Sequence, residues 1–195
     1  MTYTKIVLIS IAYLIFIGCG ASSSSSPTSS ITTNISYNNF KQPKKNEILL
    51  AINKARAVAR DCHDGLGLVA PAPALTWNNE LYAAAFEHST DLATSNTFSH
   101  DGSGTSSDIT GSNNGKKSSF IDRIEANGYS NYELIGENIA GGHLSIELAV
   151  EAWINSPQHC SNLMNSEFKE VGVAVVSNEN SDYKIYWTQS FGVKK

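Results

Sequence analysis

Two histidines and one glutamate have the chemistry to bind a ligand or a metal ion. His100 follows Phe-Ser at the start of a polar stretch, Glu137 lies between a glycine and an asparagine, and His159 follows Ser-Pro-Gln. Two neutral imidazoles and one carboxylate form a three-ligand set that zinc accepts, with a fourth position left open. In the same arrangement Glu137 would act as a general base on a bound water.

Another interpretation of these residues stays open, because side chains far apart in a sequence need not converge. Glu137 would equally accept hydrogen bonds from backbone amides in a tight turn, braced by the side-chain amide of Asn138, while the histidines made structural hydrogen bonds. No Ser, Cys or Thr is recognisably paired with a base, which disfavours a hydrolase that forms a covalent intermediate. The pattern therefore favours a binding site over an active site.

Four amphipathic segments are predicted to be helices that position these residues. The first spans residues 45–61, and the second begins at Asn78 or Asn79. The third spans residues 119–127 and is followed by the stop residue Gly128; the fourth spans residues 145–155, and Pro157 prevents its continuation. A short helical turn is expected at residues 159–164. His88 lies on the apolar stripe of the second helix, so we interpret it as a buried histidine with a hydrogen-bond partner. Residues 95–117 are polar and predict a long exposed loop.

Strand patterns come late in the chain. Alternating apolar residues predict strands at residues 171–177 and 183–191, joined by the polar loop 178–182. A shorter strand is predicted over residues 134–140. Helices first and paired antiparallel strands last indicate an α+β fold, with helices packed on a small sheet.

The N-terminus has the features of a targeting segment. Residues 6–17 form a run that is apolar except for Ser10, which is too short for a bilayer-spanning helix of about 20 residues and typical of a signal peptide. The following Phe-Ile-Gly-Cys resembles a lipobox. We therefore expect a lipoprotein signal peptide at residues 1–18 and acyl chains, palmitate among them, on Cys19. An ordinary signal peptide with a chance cysteine is the alternative. Residues 19–43 are rich in Ser and Thr and predict a flexible tether.

The three cysteines suggest one disulfide. If Cys19 carries lipid, Cys62 and Cys160 remain, and an exported protein is exposed to an oxidising compartment. A bond between them would close a loop of about a hundred residues, worth up to roughly 4–5 kcal/mol in the chain-entropy model. Two metal-binding thiolates are the alternative, disfavoured because neither cysteine has a CxxC partner.

The composition limits the classes of partner. Hydrophobic residues make up 41% of the chain and charged residues 16%, which is enough apolar material for a core. The formal net charge is −4, and no basic face suited to phosphates stands out. We therefore expect a monomer that does not bind nucleic acid.

Seven stretches of the chain form an ordered set of motifs: AINKARAVARDC, PALTWNNELYAAAFEHSTDLATSNTFSHDG, RIEANGY, GENIAGG, AVEAWINSPQHCSNLMN, FKEVGVAVV and YWTQSFG. Together they resemble the bacterial branch of the CAP superfamily (cysteine-rich secretory protein, antigen 5, pathogenesis-related 1). The resemblance implies a three-layer α-β-α sandwich, with a central, mainly antiparallel sheet between helices, over residues 44–193. Family members often carry cysteines where Cys62 and Cys160 stand, which supports the disulfide.

The resemblance also implies a surface cleft with two histidines and two glutamates. It maps His100, Glu137 and His159 onto three of them. The second glutamate is expected three residues after Trp153, where this chain has Ser156. The four-residue site is therefore incomplete here.

These observations predict an extracytoplasmic lipoprotein, anchored in the membrane, that binds a small lipid or another envelope component. The cleft would be formed by His100, Glu137, Asn138, Ser156 and His159, with Zn²⁺ or another divalent metal as a candidate cofactor. Alternatives are a metal-assisted hydrolase and a structural or adhesion protein. Gly20, where enteric lipoproteins retained in the inner membrane carry aspartate, favours the outer membrane in a Gram-negative host.

Overall fold

The computed structural model describes residues 40–195, and the predicted signal peptide, Cys19 and the tether up to residue 39 lie outside that range. The helices are α1 (Lys45–Arg56), α2 (Asn79–Ser95), α3 (Ile109–Asn113), α4 (Phe120–Ala126), α5 (Ile146–Ile154) and α6 (Pro157–Met164). The strands are β1 (Arg60–Asp61), β2 (Leu68–Val69), β3 (Thr76–Trp77), β4 (Tyr132–Gly141), β5 (Glu170–Ser177) and β6 (Ile185–Lys194). Across residues 40–195, no helix has the length and apolar character needed to cross a membrane.

The central sheet has four strands in the order β3-β5-β6-β4. The β5–β6 and β6–β4 pairs are antiparallel, and only the two-residue β3 pairs in parallel, with β5. Apolar side chains of α1, α5 and α6 form one buried cluster with the valines of β5 and with Trp187 and Phe191 of β6. Residues of α2 and α4 form two further clusters, one of which includes Ile139 and Tyr186 of the sheet. The predicted α+β three-layer sandwich with a mainly antiparallel sheet is confirmed.

Helix α2 shows how local sequence produces the layer beneath the site. Asn78 caps it, because its side-chain oxygen accepts hydrogen bonds from the amides of Glu80 and Leu81 at 2.8 and 3.0 Å. The predicted inner face is completely buried, at Leu81, Ala85, His88 and Leu92. A Cβ added to Gly172 of β5 would clash with the amide nitrogen of Tyr82. Glycine is therefore required where α2 packs directly on the sheet.

Several boundaries differ from those predicted. Helix α1 ends at Arg56 rather than at residue 61, and Arg60–Asp61 pair with Leu68–Val69 instead. The Arg56 side chain is buried and donates to backbone carbonyls of Pro73, Leu163 and Asn165, so it joins three segments rather than continuing an exposed helical face. Strand β4, predicted to be short, is ten residues long. Helix α6 begins at proline, a favourable first helical residue, two residues before the predicted turn.

The predicted exposed loop at residues 95–117 is ordered by two buried carboxylates and contains α3. Asp91 accepts hydrogen bonds from the amide and hydroxyl of Ser103 and from the hydroxyl of Ser107. Asp108 accepts from two glycine amides and from the amide and hydroxyl of Ser118. Most residues of this segment are exposed, as predicted, but it is not a loop throughout, because it contains α3 and polar side chains organise it.

Phe40, within the segment predicted to be tether, packs on the domain. The Phe40 ring meets Trp187 edge-on, with ring centroids 6.4 Å apart. Gln42 donates a hydrogen bond to the carbonyl of Val175 at 3.3 Å. Phe40 and Gln42 of the predicted tether thus contact the domain.

Cys62 and Cys160 form the predicted disulfide. Their Cα atoms are 5.4 Å apart, and the bond joins residues separated by 98 positions. Both side chains are buried beside Met164. The bond ties the segment after β1 to α6, and it rules out the alternative of two metal-binding thiolates.

Candidate functional site

The site lies at β4, the edge strand of the sheet. An exposed strand edge leaves backbone carbonyls unpaired, and here α5 and α6 satisfy two of them. The indole nitrogen of Trp153 donates to the carbonyl of Ile139 at 3.0 Å, and the side chain of Asn162 donates to the carbonyl of Glu137 at 3.2 Å. These contacts bring α6 against the strand that carries Glu137.

Glu137 is a buried carboxylate with charged and polar neighbours on both oxygens. Its side chain is 2% exposed; Oε1 lies 2.9 Å from His100 Nδ1, and Oε2 accepts a hydrogen bond from Arg123 at 2.9 Å. His88 Nε2 lies 3.8 Å from Oε1. Burial alone would raise the pKa of Glu137, but His88, the His100 hydrogen bond and Arg123 outweigh burial and hold that pKa below its ordinary value.

His100 is positioned through its backbone as well as through Glu137. The Arg123 guanidinium donates to the His100 carbonyl at 2.8 Å. His88 Nε2 lies 2.9 Å from the carbonyl of Ser99, so Nε2 carries the hydrogen, and Nδ1 of this fully buried ring has no partner among residues 40–195. Burial lowers the pKa of His88 below its ordinary value. His88 and Arg123 therefore hold the segment that presents His100.

His159 approaches His100 from α6, with ring centroids 6.0 Å apart. Asn138 fixes the helix, because its side chain donates to the His159 carbonyl at 3.0 Å and to the side chain of Gln189 at 3.1 Å. Asn162 donates in turn to the Asn138 oxygen at 3.0 Å. Burial, followed by the nearby His100, lowers the pKa of His159, so its imidazole is neutral at neutral pH.

A cavity of about 260 Å³ adjoins His159. Ser156 lines it and occupies the N-cap position of α6, but its side chain makes no capping hydrogen bond. Phe98 and Tyr183 also line it, each 42% exposed and with ring centroids 4.7 Å apart. The cavity therefore combines an apolar wall with a free hydroxyl and a neutral imidazole.

The predicted site residues thus lie close together, but their placement does not provide a three-ligand metal site. Within residues 40–195, no group of three or more His, Cys, Asp or Glu side chains is arranged to hold a metal ion. Arg123 occupies one oxygen of Glu137 and His100 the other. The positive charge of the Arg123 guanidinium, 2.9 Å from Glu137 Oε2, would also repel a divalent cation at that carboxylate. The residues as placed therefore do not fit Zn²⁺.

Sequence reasoning did not assign His88 or Arg123 to the site. His88 is buried with a hydrogen-bond partner, as predicted, but that partner, Ser99, lies 11 residues away, and Glu137, the partner of Arg123, lies 14 residues away. His143, which was not assigned to the site either, is partly buried and lines the cavity. The sequence feature that could have identified Arg123 is that it is the one basic residue of the short helix α4, on its buried side.

The family profile and two sequence relatives match this chain. The profile of the "Cysteine-rich secretory protein family" (CAP) matches residues 49–191. The "Uncharacterized membrane protein YlbC" of Bacillus subtilis (strain 168) is 35% identical over 117 residues, which are 60% of this chain and 28% of that protein. The "Uncharacterized protein YkwD" of the same organism is 38% identical over 71 residues, 36% of this chain and 25% of that protein. The matched part of the chain thus spans about a quarter of the length of these curated relatives.

Solved structures share the architecture. An extracellular protein containing a SCP domain from Bacillus anthracis str. Ames aligns with a TM-score of 0.55 at 26% identity, over 81% of this chain and 41% of that chain. An outer surface protein from Borrelia burgdorferi aligns with a TM-score of 0.55 at 20% identity, over 80% of this chain and 99% of that chain, and shows the fold alone. Since the family profile covers well over half of the sequence, this chain belongs to the cysteine-rich secretory protein (CAP) family.

Proposed function

We propose that this protein is an extracytoplasmic, lipid-anchored binding module whose cleft takes a small ligand with an apolar part and a polar group. The ligand would be a small lipid or another envelope component. Its apolar part would contact Phe98 and Tyr183, and its polar group would reach Ser156 and His159. The observation that carries the proposal is the cavity of about 260 Å³ beside His159, where an apolar wall faces hydrogen-bonding groups.

The state of Glu137 supports binding over hydrolysis. A general base needs a carboxylate oxygen free to take a proton from water. Both oxygens of Glu137 already accept hydrogen bonds, and the Arg123 ion pair stabilises the charged form. This arrangement suits a carboxylate that holds His100 in place.

Export and anchoring are proposed on separate grounds. The apolar run at residues 6–17 and the lipobox-like sequence ending at Cys19 support a lipoprotein signal. The buried disulfide is consistent with an oxidising compartment. Relatives named as membrane, extracellular and outer surface proteins fit the same location. The outer membrane is favoured in a Gram-negative host because Gly20 replaces the retention aspartate.

The cleft is tested with the full chain in detergent, by native mass spectrometry and thermal shift against fatty acids and extracted envelope lipids. We expect one bound ligand class that raises the melting temperature of the wild type. The shift should fall by more than half in Phe98→Ala and His159→Ala. Leu50→Ala is the matched control, because Leu50 is 70% exposed on α1 and does not line the cavity. No binding, or equal losses in all three variants, would refute the cleft proposal.

Zinc titration distinguishes this proposal from the metal-assisted hydrolase alternative. Wild type, His100→Ala and His159→Ala are titrated with Zn²⁺ by calorimetry. Equal and negligible affinity is expected, since the side chains as placed form no three-ligand set within residues 40–195. Tight binding by the wild type that both substitutions abolish would favour the hydrolase alternative instead.

The anchor is tested by fractionating cells that express the full chain with or without Cys19→Ser. We expect the wild type in the membrane fraction, labelled by palmitate, and the variant in the soluble fraction or unprocessed. Cys160→Ala should keep the label, because it removes a disulfide cysteine only. A labelled Cys19→Ser protein would disprove lipidation at this residue.

A further inference from the structure

A second cavity lies between α2, α3 and α4 and shares no lining residue with the cleft. Its volume is about 440 Å³, within the range of small-molecule sites. Tyr82 and Phe86 line it from α2, and Ile109 lines it from α3. These three side chains are 37%, 48% and 56% exposed, so the groove presents an apolar surface to solvent.

Two aromatic rings, those of Tyr82 and Phe86, line the groove, and a third, Trp77, lies beside Tyr82 outside the lining, with Lys45 Nζ 5.3 Å from its ring centroid. The Trp77 and Tyr82 centroids are 5.5 Å apart, and those of Tyr82 and Phe86 are 6.1 Å apart. The ring planes in the two pairs are 37° and 27° from parallel. Tyr82 and Phe86, the more nearly parallel pair, are therefore the two aromatic rings that the groove offers to a ligand. Flat aromatic faces, with their negative π-cloud, stack on the C–H faces of pyranose rings.

Polar groups without partners lie in the same groove. The hydroxyls of Tyr82 and Thr110 and the carboxamide of Asn113 have no hydrogen-bond partner among residues 40–195. Thr110 is only 5% exposed, yet it lines the cavity. A lipid tail would bury these groups without satisfying them, which costs free energy. The groove therefore suits a ligand that carries hydroxyl or amide groups on an apolar ring.

The charge of the groove favours a neutral ligand. Glu87 is the only charged residue in its lining, among the residues that the structure describes. It is 9% exposed, and its two oxygens already accept hydrogen bonds at 2.8 Å from the Thr110 amide and the Asn127 side chain. No lining cation from residues 40–195 offsets this carboxylate, so an anionic ligand is disfavoured.

We propose that this groove binds a neutral β-linked glycan chain, independently of the central cleft. An extended β-linked chain presents consecutive sugar-ring faces, which would stack on the rings of Tyr82 and Phe86. Its hydroxyls would meet Tyr82, Thr110 and Asn113. The groove would add glycan contact to a domain whose cleft takes a different ligand.

The test uses the full chain in a sugar-free detergent, titrated with chitohexaose and cellohexaose. Trp77 is the partly exposed one of the three tryptophans, whereas Trp153 and Trp187 are fully buried, so tryptophan fluorescence reports on the ring beside Tyr82. We expect saturable binding of at least one oligosaccharide. Phe86→Ala should weaken it by about tenfold through lost stacking, and Tyr82→Phe by about threefold through a lost hydrogen bond.

The control is Phe98→Ala, which removes a phenylalanine from the other cavity. Phe98 is 42% exposed, similar to the 48% exposure of Phe86. It should leave oligosaccharide affinity unchanged while it impairs ligand binding in the cleft. Absence of saccharide binding, or equal weakening by Phe98→Ala and Phe86→Ala, would overturn the proposal. Binding of a polyproline peptide in place of both oligosaccharides would also overturn it and assign the two aromatic rings to peptide recognition.

Discussion

At the scale of single residues, the ion pair between Glu137 and Arg123 connects the site to the domain interior. Both side chains are almost fully buried, at 2% and 1% exposure. Arg123 also donates to the hydroxyl and carbonyl of Ser118 and to the carbonyl of His100. Removing one partner leaves the other as an unpaired charge in a medium of low dielectric constant, which is strongly unfavourable.

We therefore expect Arg123→Met to lower the free energy of unfolding by about 3–5 kcal/mol, measured by urea denaturation. Lys116→Met is the control. It breaks the Lys116–Asp122 pair, whose side chains are 56% and 28% exposed, and should cost less than about 1 kcal/mol. The double variant Arg123→Met/Glu137→Met should regain part of the loss, since no lone charge remains. Equal effects of Arg123→Met and Lys116→Met would contradict this account.

At the scale of elements, helix α4 shows how a local motif places Arg123. Ser119 and Asp122 form a capping box, in which each side chain bonds to the other residue's backbone amide. Hydrogen bonds from the Ser119 amide and hydroxyl, and then from Lys116, lower the pKa of Asp122 to about 2. The ionised carboxylate therefore helps to start the helix that carries Arg123.

This gives a prediction for the pH dependence of stability. Because folding lowers the pKa of Asp122 from 3.8 to about 2, its contribution is fully present above the unfolded pKa and is lost as pH falls through about 2. Asp122→Asn should lower the free energy of unfolding by about 1 kcal/mol at pH about 6, and by less than that at pH about 3. Urea denaturation at both pH values measures the difference. The control Asp101→Asn, in an exposed turn, should change the free energy of unfolding little at either pH. An effect of Asp122→Asn that does not depend on pH would contradict a stabilising role for the ionised Asp122 carboxylate.

At the scale of the whole molecule, the disulfide connects distant parts of the chain on one side of the sheet. Cys62 follows β1 and Cys160 lies in α6, whose His159 faces the cleft. A crosslink over 98 positions removes many conformations from the unfolded chain. The bond therefore stabilises the fold and restrains the helix that carries a cleft residue.

Reduction of the wild type should lower its free energy of unfolding by up to about 4–5 kcal/mol, measured by denaturation with and without a phosphine reductant. The Cys62→Ala/Cys160→Ala variant should be similarly less stable and insensitive to reductant. Counting free thiols verifies that the bond has been reduced. A reduced wild type as stable as the oxidised protein would contradict the proposed role of the crosslink.

Local patterns predicted much of this molecule. The cap at Asn78, the inner face of α2 and the strands β5 and β6 follow from residue type and spacing, which act over a few positions. The cysteine pair followed from elimination and from the family resemblance. The parallel pairing of β3, the helix within residues 95–117 and the wall that Phe98 and Tyr183 contribute to the cavity were not predicted. Each depends on contacts between segments far apart in the chain.

The same distinction between local patterns and long-range contacts applies to the candidate site. Residue types and family motifs were sufficient to nominate His100, Glu137 and His159, and the apolar periodicity was sufficient to predict the layers that carry them. Only packing brought His88 and Arg123 to Glu137 and occupied both of its oxygens. Periodicity records which face of an element is buried, whereas the partner of a buried charge depends on how whole elements pack together.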